Sequence, residues 1–178
     1  MPKVDVFIDG DNMSIECQKL YYARPDYKTL ARLIASRCQH TIGTVRYYDS
    51  PSSNPATHPR QQRFWEQLKQ KHIEVKLGRT ESNYDGTHRQ KECDVMLACD
   101  MIYGAFTKQY DRAVLVSGDT DYAYAIEMIV SLGVEVGWVY LPSQEHSDRL
   151  KQLIPVGHRL LLDEKTFRTV RQQTTARW

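Results

Sequence analysis

The sequence predicts an α/β protein, a three-layer α/β/α sandwich with a mainly parallel central sheet. Short runs of apolar and β-branched residues alternate with helix-like runs along the chain. Strands separated by helices pair in parallel through right-handed crossovers. Acidic residues follow two of these runs directly, at the place where open α/β sheets bind their ligands. Both observations indicate a folded domain with a ligand site at the carboxyl edge of its sheet.

The first half of the chain contains three predicted strands separated by helices. The strands are residues 4–9, 43–48 and 73–77. Helical spacing of apolar residues indicates helices over 14–20, 26–38 and 59–71. Asp26 is placed to cap the second of these helices. Two prolines and three small polar residues in 51–55 favour a loop.

The second half opens with a polar stretch, residues 78–90, which is predicted to be the least ordered part of the chain. The helices expected after it are 92–106, with a wide apolar face, 120–132 and 147–153. The strands are 113–116, 134–141 and, as a strand or a buried turn, 158–162. Gly133 is placed to end the helix at 120–132.

A single domain is expected over residues 1–162, followed by a polar, basic C-terminal tail over 163–178. The chain has 178 residues, 41% of them hydrophobic, which is enough for one sizeable core. Its 24 basic and 22 acidic residues nearly cancel. Any nucleic-acid surface would therefore have to be a local patch.

The cysteines and the hydropathy pattern indicate a cytoplasmic protein. Cys17, Cys38, Cys93 and Cys99 have no C-x-x-C spacing, which favours reduced core thiols over a zinc site or disulfides. No signal peptide is recognised, and no apolar run approaches the roughly 20 residues of a membrane span. We therefore expect no membrane partner. Exposed apolar residues on the helices leave a homo-oligomer open.

Two pairs of acids follow predicted strands. Asp9 and Asp11 come directly after the first strand, and Asp119 and Asp121 come after the fourth. The carboxyl ends of parallel strands lie on one edge of the sheet, so we expect these acids to approach one another.

Asp94 joins this group if the first turn of the helix at 92–106 packs at the same edge. Leu97 and Ala98, three and four residues further on, are consistent with an inward Asp94. Asp100 lies about 240° around the same helix and is excluded.

Carboxylates packed together need a compensating cation. Mg²⁺ and Mn²⁺ prefer carboxylate and water oxygens, whereas structural zinc would need a compact His and Cys cluster that the sequence lacks. A divalent metal held by acids at a strand edge suits phosphoryl chemistry, because it orients a phosphodiester and activates water.

Three segments, in this order, resemble the NYN domain, the PIN-like nuclease group that includes the LabA-like proteins. They are Phe7-Ile8-Asp9-Gly10-Asp11-Asn12, Lys91-Glu92-Cys93-Asp94-Val95 and Leu115-Val116-Ser117-Gly118-Asp119-Thr120-Asp121-Tyr122. The resemblance covers roughly residues 3–141. It implies a PIN-like fold and a metal-dependent ribonuclease, an endoribonuclease that hydrolyses phosphodiester bonds of single-stranded RNA with Mg²⁺ or Mn²⁺.

The resemblance also assigns roles to individual residues. Asp9 becomes the first-strand metal ligand, and Asn12 positions the metal water or a phosphate. Asp94 is the acid from the central helix. Asp119 is the fourth-strand ligand, and Asp121 supports it directly or through water.

Asp11 is a further metal candidate, although many relatives place a different small residue there. Two other positions depart from the family pattern. Glu92 and Cys93 stand where the family often has Gly and Val, and Tyr122 stands where it often has Phe. Glu92 adds a carboxylate beside the site, which bears on metal number and on substrate repulsion.

Four residues are candidates for substrate binding. Lys91 could steer phosphate toward Asp94, and Arg89 could line an RNA path, although both also fit solvated surface positions. Ser117 and Thr120 could bind phosphate or order a metal water, but strand-end and capping hydroxyls are the commoner roles.

Other interpretations of the same residues stay open. Asp11 with Asn12, and also Asp119, could cap helices. A noncatalytic RNA-binding or scaffold domain would share the fold. Haloacid-dehalogenase-like phosphatases also place Asp-x-Asp after a first strand, but Met13 and Ala123 depart from their pattern.

Overall fold

The computed structural model describes residues 1–54, 56–82, 88–144 and 147–171 of the chain. The strands are β1 (Lys3–Asp9), β2 (Thr41–Asp49), β3 (Glu74–Leu77), β4 (Arg79–Ser82), β5 (His88–Lys91), β6 (Arg112–Val116), β7 (Glu135–Tyr140) and β8 (Arg159–Leu161). The helices are α1 (Gly10–Tyr21), α2 (Tyr27–Cys38), α3 (His58–Gln70), α4 (Cys93–Phe106), α5 (Ala123–Ser131), α6 (Asp148–Leu153) and α7 (Glu164–Val170).

Six strands form one sheet in the order β3-β2-β1-β6-β7-β8, and every neighbouring pair in it is parallel. The predicted fold class is therefore confirmed. β1 and β6 lie side by side at the centre, with Ile8 paired to Val116. The segments that follow these two strands thus leave the sheet at the same edge.

The two faces of the sheet carry separate apolar cores, because successive strand residues point to opposite faces. Val4, Val6 and Ile8 of β1 pack with residues of α1, α2, α3 and α7. Phe7 packs on the other side with residues of α4, α5 and α6. Helices on both faces of a parallel sheet make the three layers. Within the described ranges, no helix is both long and apolar enough to cross a membrane.

The segment predicted to be least ordered contains a pair of antiparallel strands. β4 and β5 pair from Arg79 with Lys91 to Ser82 with His88. The prediction was wrong for these two strands because both are polar and therefore lack the alternation of apolar residues by which a strand is recognised in a sequence. Lys91 also forms an ion pair with Glu81 across the two strands. Residues 83–87 lie outside the described residues.

The start of the predicted tail forms the helix α7. Asp163 caps it by accepting the Thr166 N–H at 2.7 Å. Phe167 and Val170 are buried, and Phe167 stacks on Tyr21 with ring centroids 4.2 Å apart. The sequence does not predict this helix because the segment is polar and only two of its side chains, Phe167 and Val170, are buried. Residues 172–178 lie outside the described part of the chain.

The four cysteines are all free thiols. Cys17 is buried, and Cys38 and Cys93 are half-buried. Cys99 is exposed, so the expectation of core thiols was wrong for this one.

Candidate active site

Asp9 is a buried carboxylate at the end of β1, with only 7% of its surface exposed. Its Oδ1 accepts the Asn12 N–H at 3.1 Å, which caps α1. Its Oδ2 accepts the hydroxyls of Ser117 at 2.8 Å and Tyr122 at 3.3 Å. Gly10 makes the immediate strand-to-helix turn possible, since a Cβ there would lie 2.3 Å from the Tyr47 ring.

The surroundings of Asp9 disfavour its charged form. Burial raises the pKa of Asp9 to about 6, although the Asn12 N–H and the Ser117 hydroxyl partly offset this effect. The charge of Asp94 raises the pKa further, and the Tyr122 hydroxyl lowers it. Among the described residues, no cationic side chain forms an ion pair with Asp9 or Asp94.

Asp94 lies in the first turn of α4, with an exposed side chain whose Oδ1 accepts the Tyr122 hydroxyl at 3.0 Å. The one phenol therefore contacts the carboxylates of both Asp9 and Asp94. Burial and then these two charges raise the pKa of Tyr122 well above its usual value, so the phenol stays a hydrogen-bond donor. Sequence reasoning noted Tyr122 as a departure and did not foresee this contact.

The residue before α4, Glu92, has a backbone conformation that is unusual for a residue with a side chain. Glu92 precedes the helix with φ of 81°, a conformation that favours glycine. This is the position where the resembling family often has Gly. The Glu92 carboxylate pairs with Arg79 and is therefore engaged next to the candidate site.

Asp119 caps the short 3₁₀ turn Thr120–Tyr122 that follows β6. Its Oδ1 accepts the Asp121 N–H at 2.9 Å. The capping interpretation of Asp119 is therefore confirmed, and the cap uses one of its two carboxylate oxygens. Asp121 and Thr120 are exposed, and Asp119 is half-buried.

Asn12 and Ser117 hold the loops of the site together. Asn12 Oδ1 accepts the Gly118 N–H at 3.0 Å and the Gln144 side-chain amide at 2.7 Å. Ser117 is fully buried and accepts the Asp119 N–H at 3.1 Å while it donates to Asp9. Sequence reasoning missed Gln144, because no motif links it to the acids.

The remaining candidates occupy varied positions. Asp11 is half-buried in the first turn of α1. Lys91 is engaged with Glu81, and the side chain of Arg89 lies outside the described part of the structure. Asp100 accepts the Tyr48 hydroxyl at 2.7 Å and Lys76 Nζ at 2.6 Å, which agrees with its exclusion from the site.

The carboxylate oxygens of the candidate site are the kind of ligand that a hard divalent cation such as Mg²⁺ prefers. Throughout the described ranges, no three His, Cys, Asp or Glu side chains are gathered closely enough to hold one metal ion. Mg²⁺ usually keeps several waters and binds through one or two carboxylates together with substrate phosphates. Asp9 and Asp94, which share the Tyr122 hydroxyl, are the pair best placed to act together.

Comparison with known proteins gives a family and a fold. The model of the NYN domain family matches residues 3–155. A crystal structure of a protein of unknown function from Vibrio parahaemolyticus is similar, with a TM-score of 0.75, 22% identity and 96% of each chain covered. This likeness concerns the fold alone.

A Listeria monocytogenes structure named as a UDP-N-acetylglucosamine 2-epimerase matches with a TM-score of 0.45 and 10% identity, over 94% of this chain and 41% of that one. So weak a likeness supports no conclusion. No curated protein matches the chain.

Proposed function

The chain belongs to the NYN domain family, a group of PIN-like nucleases, and we propose that it is a metal-dependent ribonuclease, an endoribonuclease acting on single-stranded RNA. One observation carries the proposal. The buried Asp9 carboxylate faces Asp94 and neutral donors at the carboxyl edge of the sheet, with no ion-pair partner among the described residues. Such an arrangement leaves a negative site that a divalent cation would complete.

In this proposal, Asp9 and Asp94 hold Mg²⁺ or Mn²⁺, and Asp119 contributes its uncapped oxygen. Asp121 and Asp11 act as further or water-mediated ligands. A bound divalent ion would activate water and stabilise charge on the phosphoryl oxygens.

Neutral groups of the chain keep these acids in place. Ser117 and Tyr122 donate to Asp9 Oδ2, which orients that carboxylate. Asn12 ties the turn after β6 to α1 through Gly118, so the acids after β1 and β6 are held in one register. Asn12 thus acts as a positioning residue through its oxygen, while its amide N–H groups remain candidates for a phosphate.

Substrate phosphates would approach along the exposed side of the acids. Thr120 and Ser117 stand on the turn that carries Asp119, although Ser117 is buried and acts through its neighbours. Lys91 and Arg89 belong to the strand that leads into α4. Lys91 would exchange its ion pair with Glu81 for an RNA phosphate.

The test is cleavage of single-stranded RNA by Asp9→Asn, Asp94→Asn and Asp119→Asn. We expect Mn²⁺- or Mg²⁺-dependent cleavage to fall about a thousandfold or more, because a metal supplies several kcal/mol to such a reaction. Asp100→Asn is the matched control, since it changes an acid of α4 that lies outside the site. Circular dichroism would verify that each variant remains folded.

Two results would contradict the proposal. Full activity in all three variants would exclude these acids, and cleavage that chelators leave unchanged would exclude the metal. RNA that is bound and never cut, with any of these metals, would instead support a noncatalytic RNA-binding or scaffold domain.

A further inference from the structure

A recess lies on the face of the sheet that α2 covers and extends to the start of β6. It has a volume of about 300 Å³ and is lined by the last turn of α2, by residues of β6 and β7, and by the start of β8. Arg112 begins β6 at this recess, whereas Ser117 and Asp119 follow the other end of the same strand. A strand of five residues spans about 17 Å, so Arg112 is distant from the acids, and no candidate residue of the acidic site lines the recess.

The lining combines aliphatic and cationic side chains. The aliphatic members are Ile34, Val114, Val139 and Leu160. The cationic and imidazole members are Arg37, Arg112, Arg159 and His158. Ligand pockets commonly join a largely apolar wall to a few polar groups in this way, and the volume is at the lower end of their range.

Two of the three guanidinium groups are already fixed in place. Arg112 Nε donates to Glu135 Oε2 at 2.8 Å, and its Nη2 lies 3.3 Å from His158 Nε2. Arg159 Nε donates to the Ile154 carbonyl at 2.8 Å, and its Nη2 bonds the Lys151 carbonyl. A cation held by its own chain loses little conformational entropy when an anion binds.

The charge at the recess is positive. None of its lining residues is acidic. Glu135 is paired with Arg112. Hydrogen bonds from Thr166 are the main cause of the lowered pKa of Asp163, and the charge of Arg37 makes a smaller contribution to it. Neither Arg37 nor Arg159 forms an ion pair with any described residue. Two arginines therefore remain without an ion-pair partner among the described residues.

From these features we propose that the recess binds a small phosphomonoester with an apolar or aromatic body, the size of a nucleoside monophosphate. Guanidinium groups match the oxygens of phosphate in a fork-like geometry. The aliphatic wall would bury the body of the ligand. The recess shares no lining residue with the acidic site, so this inference stands apart from the proposed ribonuclease activity.

The half-buried thiol of Cys38 lines the recess and reports on its occupancy. The 178-residue protein is alkylated in chelator with increasing AMP or UMP, and modification is read at each cysteine by mass spectrometry. We expect either nucleotide to slow modification of Cys38 at least tenfold at saturation. The exposed Cys99 on α4 is the internal control and should react at an unchanged rate.

A pair of charge reversals on α2 tests the role of the arginines. Arg37→Glu should weaken protection of Cys38 by AMP at least tenfold, because it replaces a lining cation with an anion. Arg32→Glu is the matched control: it makes the same change on the same helix at an exposed residue that does not line the recess. It should leave the protection curve within about twofold of wild type.

Nucleosides and inorganic phosphate, tested in the same assay, show how much the body and the phosphate of the ligand each contribute to binding. Weaker protection by the matching nucleosides and by inorganic phosphate supports a site that needs both phosphate and body. Equal protection by nucleoside and nucleotide, equal protection by phosphate alone, or none by AMP and UMP would overturn the inference. Protection by 5′-phosphorylated RNA but not by free nucleotide would also overturn it, in favour of an RNA-end site.

Discussion

Asp5 and Asp9 are two buried carboxylates on the same face of β1, and their partners are opposite in kind. Asp5 is 1% exposed and accepts Arg46 Nη1 at 2.9 Å together with the Thr44 N–H at 2.9 Å. Asp9 is 7% exposed, receives hydrogen bonds from neutral groups, and has the negative Asp94 nearby. The chain thus neutralises one buried acid and leaves the other without a cation among the described residues.

The difference distinguishes a structural charge from a functional one. A buried charge is costly unless a partner and hydrogen bonds compensate it, and Asp5 has both. Asp9 has the hydrogen bonds only, so in the absence of a ligand it lowers the stability of the fold. A carboxylate kept at that cost is a candidate functional group.

The largest change in stability is expected from removing the charge of Asp5. Asp5→Asn leaves the mostly buried Arg46 without its main partner and should lower the free energy of unfolding by about 3 kcal/mol. The remaining pair of Arg46 with Glu74, at 3.2 Å, limits the loss. Urea unfolding measures the change, and Glu66→Gln, which breaks an exposed ion pair, should change stability by less than about 0.5 kcal/mol. An equally small effect of Asp5→Asn would remove the contrast between the two acids.

The same substitution at Asp9 should act in the opposite direction. In chelator at pH 8, Asp9→Asn should raise the free energy of unfolding by about 2 kcal/mol, because it removes a buried, uncompensated charge. Urea unfolding under these conditions measures the change. A loss of stability as large as that of Asp5→Asn would show that Asp9 is a structural acid.

The gain from Asp9→Asn should depend on pH in a defined way. Because the pKa of Asp9 in the folded protein, about 6, lies above its usual value of 3.8, the folded state holds the proton more tightly, and protonation of Asp9 favours folding. The stability difference between variant and wild type should therefore be smallest below pH 4, grow as pH rises to about 6, and stay constant above it. Denaturant titrations in chelator across this range test the sign. A difference that is constant with pH would contradict it.

The smallest change in the free energy of unfolding is expected from removing the Tyr122 hydroxyl, which contacts both Asp9 and Asp94. Tyr122→Phe removes a buried hydrogen bond to Asp9 and one to Asp94, and should cost about 1 kcal/mol of stability. In the Asp9→Asn background the cost should be smaller, because the pair is coupled. A double-mutant cycle in chelator measures this coupling. Strictly additive effects would mean that Tyr122 does not support Asp9.

Much of the fold follows from the sequence, because strands and helices with strong apolar patterns are recognisable locally. The convergence of Asp9 and Asp119 at one edge follows from parallel pairing of β1 with β6. Tertiary contacts decide the rest. Gln144 reaches Asn12 from 132 residues away, and α7 is anchored by only Phe167 and Val170, so neither has a local pattern. The partner of Asp5, Arg46, likewise lies on another strand.

Calorimetric titration of the metal-free protein with Mn²⁺ tests most directly whether the uncompensated acid is a metal ligand. Wild type and Asp100→Asn should bind Mn²⁺ saturably, and Asp9→Asn should lose at least tenfold in affinity while remaining folded. Binding by Asp9→Asn that equals wild type, or no binding by wild type at millimolar Mn²⁺, would contradict the assignment of Asp9 as a metal ligand.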